Sequence, residues 1–226
     1  MERYNSFLQN PGQNLPSGRV NVKVLALVVS KEPPEKTLRS LAQQTLPPTF
    51  TVWVSAPGVV KALNDSWKTY RKDGYDYLLR TAGDIYLPRN WLESALLLQK
   101  DVVGSHGDAM LIHSRVMSAL HFYDNPVEDS SFICTARLLG FSYSPEKVKH
   151  INLRRMGAKW PPRQFLERGK WTYILGYGPV NFLWNTVWAT VIHMNFRFLA
   201  GLWTYLFALL ISHPQRWPTQ RTAPRF

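Results

Sequence analysis

At 226 residues the chain can build one α/β domain with its own core and a short appendage. Hydrophobic residues at 45% and aromatics at 13% exclude a chain disordered by composition. The single cysteine, Cys134, excludes an internal disulfide and fits a reducing compartment, while a net charge of +12 calls for an anionic partner.

Met1–Gly18 is polar, rich in Asn, Gln and Pro, and lacks the apolar stretch of a signal peptide, so the main domain is expected in the cytoplasm. Val22–Ser30 is a continuous, β-branched apolar run and reads as a buried parallel strand. Pro33-Pro34 opens a helix through Gln44, with Leu38 and Leu41 on one face. Phe50–Val54 is a second strand, Val59–Lys72 a helix and Tyr75–Arg80 a third strand. Pro88 begins a helix that buries Trp91, Leu92, Ala95 and Leu96. Ala109–His113 is a strand, with Ser114 placed to cap the next helix. Asn125-Pro126 starts a helix that stops before Gly140, and Phe141–Tyr143 is a last short strand. Strands alternating with helices imply a mostly parallel sheet, whose ligands bind at the carboxyl ends of the strands. Asp84 follows the third strand and falls at such an edge.

Charge is unevenly spread. Residues 150–226 hold ten Lys/Arg against one acid, Glu167, whereas residues 1–149 hold 17 against 14. The basic excess thus borders the most apolar sequence, which favours an anionic lipid surface. Nucleic acid is the rival partner, but no nucleic-acid module is recognisable, so none is expected. Between Tyr173 and Ser212 there is no acid, and Arg197 is the only Lys or Arg. The stretch divides into Tyr173–Met194, long enough to cross about 30 Å of hydrocarbon, and the shorter Phe198–Ser212. Gly176, Gly178 and Pro179 break the start of the first run, and Trp184, Trp188 and Trp203 suit a membrane–water boundary. A hairpin or a pair of interfacial helices fits better than a single crossing, with a packed helical subdomain as the alternative. The expected organisation is a flexible segment over 1–20, a catalytic domain over 21–150, a basic connector over 151–172, membrane-associated helices over 173–212 and a basic tail over 213–226.

Three patterns carry chemistry. In Thr81–Pro88, Asp84 is either a ligand that holds Mg2+ or Mn2+ against a diphosphate or a helix cap. In Pro126–Asp129, the acids Glu128 and Asp129 either complement a helix dipole or supply a general base kept ionised by the helix terminus. The stretch containing Arg154, Arg155, Arg168, Lys170 and Trp171 either contacts a diphosphate or an acceptor phosphate or forms a basic collar on a membrane.

In order and spacing, these patterns resemble glycosyltransferase family 2, with its GT-A fold and membrane-attached branch, over residues 20–212. Val22–Ser30 resembles its first strand and Gly83–Pro88 the second half of its DXD region. Gly107–His113 resembles the acceptor-side strand. Val127-Glu128-Asp129 with Ala136–Phe141 resembles the Glu-Asp signature and the run after it. The basic and aromatic residues from Arg168 to Tyr177 resemble the juncture before its membrane helices.

The resemblance implies an α/β chain with a mostly parallel sheet flanked by helices and a C-terminal apolar helical membrane segment. It implies Mg2+ or Mn2+ at Asp84 and a base at Asp129 supported by Glu128. Ser30, Ser55, Ala82 and Gly83 would line the nucleotide-sugar site. The implied activity is inverting transfer from a nucleotide sugar to a lipid-linked or polysaccharide acceptor, at the cell membrane and facing the cytoplasm. Ala82, Ser55 and Ala56 stand where the family carries acids, and the Asn usual after the first strand is replaced near Lys31-Glu32. A catalytically decayed, transferase-like membrane scaffold is therefore the alternative.

Overall fold

The computed structural model describes residues 5–9, 22–55, 58–105, 108–124, 128–153, 162–175 and 178–212. They divide into two compact units: Met1–Asp124 with Leu139–Leu153, and Asn125–Leu138 with Arg154–Phe226. The helix over 128–138 belongs to the second unit.

The first unit is a seven-stranded sheet. Its strands are β1 (Asn5–Gln9), β2 (Val24–Val29), β3 (Phe50–Val54), β4 (Tyr77–Ala82), β6 (Val102–Ser105), β7 (Ala109–His113) and β8 (Tyr143–Ser144). They lie in the order β1-β3-β2-β4-β7-β6-β8. β2 pairs parallel with β3 and β4, and β6 with β8, whereas β7 runs antiparallel between β4 and β6 and β1 antiparallel to β3. A two-stranded ribbon, β5 (Ile85–Tyr86) against β9 (Ile151–Asn152), completes the unit.

Every residue of β2 is buried, as its unbroken apolar run requires of a strand covered on both faces. Val24, Ala26 and Val28 join Leu79, Leu111, Leu41, Trp91 and Leu92 in one core. Full burial of such side chains contributes about 1.5–3 kcal/mol each. The helices that cover the sheet are α1 (Glu35–Ala42), α2 (Val59–Tyr70), α3 (Trp91–Leu97) and α4 (Ser114–Ala119). Ser114 is not the cap of α4. His113 is the N-cap, and its Nδ1 accepts from the Arg115 amide at 3.2 Å.

In the second unit, α5 (Glu128–Leu138) is followed by α6 (Pro162–Ile174), α7 (Pro179–His193) and α8 (Ala200–Phe207). Gly140, at φ +86°, follows α5 in the left-handed conformation expected of a terminating glycine. Phe165, Gly169 and Tyr173 recur every four residues on the buried face of α6. There α6 meets α8 so closely that a Cβ on Gly169 would overlap the Gly201 carbonyl oxygen. The Thr204 hydroxyl donates to the Leu166 carbonyl across the same crossing. Tyr205 stacks on Phe182 at 4.3 Å and meets Tyr173 edge-on at 5.7 Å.

The run Tyr173–Met194 is not one helix. It is divided between the end of α6, at Ile174, and α7, which starts at Pro179. A proline fits a helix only in its first turn, so Pro179 opens a new helix. Among the described residues no helix is long and apolar enough to cross a membrane.

Candidate functional site

The carboxyl ends of β2, β3 and β4 bring Ser30, Ser55, Ala82, Gly83 and Asp84 to one edge of the first unit. Backbone bonds continue past the strands: the Gly83 amide donates to the Val29 carbonyl at 3.0 Å, and the Ser30 amide to the Val54 carbonyl at 3.2 Å. The Trp53 indole N–H donates to the Ser30 carbonyl at 3.0 Å, and the Ser55 hydroxyl to the Lys31 carbonyl at 3.4 Å. Buried Thr37 on α1 donates to the Gly83 carbonyl at 2.8 Å. Gly83 is fixed by space: a Cβ there would overlap the Ser30 side chain. Ser30 and Gly83 are thus in contact. Ala56 lies outside the described residues.

Asp84 sits in the turn between β4 and β5 and does not cap α3, whose N-cap is Asn90. Among the described residues its carboxylate has no hydrogen-bonding or ionic partner, so its oxygens are free for a ligand. The turn itself is pinned. The Leu153 amide donates to the Asp84 carbonyl at 2.8 Å, and Ile85 and Tyr86 pair with Asn152 and Ile151.

Beside this turn lies a group the sequence reading leaves aside. Because β7 runs antiparallel to β4, its start returns to the same edge, and the Ala82 amide donates to the Asp108 carbonyl at 3.0 Å. The Asp108 carboxylate meets His150 Nε2 at 3.0 Å and the Asn152 amide nitrogen at 3.3 Å. His150 Nδ1 meets Glu146 at 2.8 Å, and buried Trp91 donates its indole N–H to the other Glu146 oxygen at 2.7 Å. Burial alone pulls the His150 imidazole toward the neutral form. Hydrogen bonds and charge from Asp108 and Glu146 outweigh it and push the pKa up to about 9. His150 is therefore an imidazolium that clamps the start of β7 to the β8–β9 connection. The one sequence signal is an acid four residues before a histidine, a spacing common without any such role. His106 and Gly107 lie outside the described residues.

Among the described residues no group of three or more His, Cys, Asp or Glu is poised to hold a metal ion. Both nitrogens of His150 are taken by carboxylates. A cation at this edge would have Asp84 as its protein ligand and phosphate oxygens for the rest of its shell. One or two carboxylates plus substrate phosphates is the usual setting of Mg2+. The residues present fit a cation that arrives with its diphosphate.

Glu128 and Asp129 form the first turn of α5 in the second unit, where the helix dipole favours negative charge; Asp129 is buried. Arg168, Lys170 and Trp171 lie on α6. The Arg168 guanidinium stacks 5.3 Å over the Phe198 ring, and Lys170 borders a groove between α6 and α8 with Leu166 and Phe207. Arg154, Arg155 and the segment 125–127 lie outside the described residues.

No family model matches the sequence, and no curated protein does. Solved structures match in fold. The mannosyltransferase PcManGT from Pyrobaculum calidifontis, in complex with GDP-Man and Mn2+, aligns with a TM-score of 0.56 at 16% identity, covering 89% of this chain and 77% of that one. TarS from S. aureus aligns at 0.44 and 13% identity, over 85% of this chain and 45% of that one. A protein described as a nucleotide-diphospho-sugar transferase from Desulfovibrio desulfuricans aligns at 0.40 and 11%, over 55% and 79%. At 16% identity the likeness to the mannosyltransferase concerns the fold alone.

Proposed function

We propose that the chain is a membrane-attached, inverting glycosyltransferase related to family 2, moving a sugar from a nucleotide sugar to a lipid-linked or polysaccharide acceptor at the cytoplasmic face of the cell membrane. One observation carries the reading. On a GT-A-like fold, the Asp84 carboxylate has no partner among the described residues and sits at the carboxyl edge of the parallel strands, beside the Ser30–Gly83 contact.

The reading gives each residue a role. Ser30, Ser55, Ala82 and Gly83 would bound the donor, the contact at Gly83 keeping bulk out of the pocket floor. Asp84 would hold Mg2+ or Mn2+, which when bound neutralises the departing nucleoside diphosphate. Asp129 would accept the proton of the acceptor hydroxyl as that oxygen attacks the anomeric carbon and the bond to the diphosphate breaks. One displacement inverts the configuration. Glu128, in the same helical turn, would help hold Asp129 in place. Arg154, Arg155, Arg168, Lys170 and Trp171 supply cations and an aromatic surface suited to phosphate on the donor or acceptor.

The test is nucleotide-sugar turnover by purified protein with membrane lipid extract. Asp84→Ala and Asp129→Asn should each lower turnover by about a hundredfold or more, the loss of roughly 2.7 kcal/mol of transition-state stabilisation. Unchanged turnover in Asp129→Asn rules out the assigned base. The absence of acids at Ala82 and Ser55 favours the second reading, a scaffold with a decayed site. Calorimetry with nucleoside diphosphates and Mn2+ separates the two, since metal-dependent binding lost in Asp84→Ala belongs only to the first.

A further inference from the structure

α7 carries apolar side chains on its exposed face as well as on its buried one, where Phe182 and Ala189 pack. Its buried positions include Thr186 and Thr190, the Thr190 hydroxyl satisfied by the Thr186 carbonyl at 2.8 Å. Its exposed positions carry Val180, Leu183, Trp184, Val187, Trp188 and Val191. At 100° per residue these six cover an arc of about 140°, wider than the apolar stripe of an ordinary surface helix. Trp184 is 67% exposed and Trp188 57%, and the two rings stack at 6.2 Å. Exposed Asn181 and Asn185 border the arc on one side. The helix carries no Asp, Glu, Lys or Arg. Apolar exposure continues after it at Phe196 (79%) and Trp203 (77%).

We propose that this arc is a docking surface for an anionic lipid leaflet, and that α7 lies in the plane of the interface without crossing it. The proposal rests on the membrane attachment in the reading above, not on its chemistry. Three observations select lipid. A water-exposed stripe of this breadth needs a cover. Indole rings prefer the headgroup boundary. The charge is complementary: Lys170 and Arg197 are exposed, and the sequence on either side of the helices, 154–160 and 213–226, adds Lys and Arg without an acid. The in-plane geometry follows from length. Fifteen residues span about 22 Å, short of about 30 Å of hydrocarbon, and a left-handed residue, Met194 at φ +47°, ends the helix.

The experiment is flotation of the full chain with vesicles of phosphatidylcholine, with and without phosphatidylglycerol. The expected result is binding that rises with phosphatidylglycerol, falls with salt, and drops roughly tenfold for each of Trp184→Gln and Trp188→Gln, the effect of about 1.4 kcal/mol. Both side chains are mostly exposed, so the variants should keep the far-ultraviolet circular dichroism of the parent. In an Asn195→Cys variant, a membrane-impermeant thiol reagent added outside the vesicles should label the new cysteine, since Cys134 is buried. Labelling only after lysis means the helix crosses and overturns the in-plane geometry. Absence of flotation, or a concentration-dependent dimer abolished by the Trp variants, overturns lipid as the occupant. Loss of sugar transfer with flotation intact strikes the chemistry alone.

Discussion

Replacing His150 with Gln tests whether a buried cation holds the Asp84 turn. In the folded chain the imidazole titrates at about 9, against about 6.5 unperturbed. The folded value is raised, so the added stability is complete below pH about 6.5 and is lost as pH rises through about 9. A gap of about 2.5 pH units at about 1.4 kcal/mol per unit sets a ceiling near 3.5 kcal/mol. Glu146 is 2% exposed but Asp108 is 21% exposed, and water screens that second contact, leaving about 1–2 kcal/mol. Urea unfolding from about pH 6 to pH 9.5 reads this directly. The native chain should lose that stability toward the alkaline end. His150→Gln, which keeps an amide between the same carboxylates, should be less stable at neutral pH and flat across the range. Two parallel pH profiles would refute the clamp.

Further outcomes follow from individual contacts. Gly83→Val should destabilise the chain by about 1–3 kcal/mol, because its branched side chain meets Ser30, and should abolish nucleoside-diphosphate binding measured by calorimetry. Asp101 should govern the acid limb of stability. Its bonds to Arg115, outweighing the opposing effect of burial and aided by Ser142, hold its pKa down to about 2. The contribution is therefore present above pH about 4 and is lost as pH falls through about 2, and Asp101→Asn should flatten that limb in acid unfolding. Gly169→Leu should separate α6 from α8 and lower the unfolding free energy of the second unit, from denaturant unfolding followed by Trp fluorescence, by the same roughly 1–3 kcal/mol typical of overpacking.

The long apolar runs were legible because burial on both faces leaves a strand no polar positions. β2 and β3 lie within the segments the sequence marks, and α2 begins at Val59 as read. The antiparallel insertion of β7 was not legible, since Ala109–His113 reads equally well in either direction. Its partner β6 is four residues interrupted by Gly104 and gives no periodicity. The ribbon of β5 and β9 is set by pairing across 65 residues or more and has no local signature. The position of Asp84 at the carboxyl edge was legible from its place after a strand. The His150 clamp was not, because neither Asp108 nor Glu146 announces a partner that only the folded chain supplies. The division of the apolar segment after Met194 and the break at Gly176, Gly178 and Pro179 were legible, but not that α6 runs into the segment as far as Ile174.

The pinning of the Asp84 turn has a consequence for how the chain is made. Leu153 and the β9 residues that hold this turn are synthesised about seventy positions after it, at roughly 5–20 residues per second. A nascent chain can thus assemble β2, β3 and β4 while the Asp84 edge still lacks its seal. Only once α5 has left the ribosome and the β9 segment has folded back does that edge close. Ribosome-bound intermediates stalled before Leu153 should therefore acquire a protease-resistant sheet well before they acquire any hold on a nucleoside diphosphate.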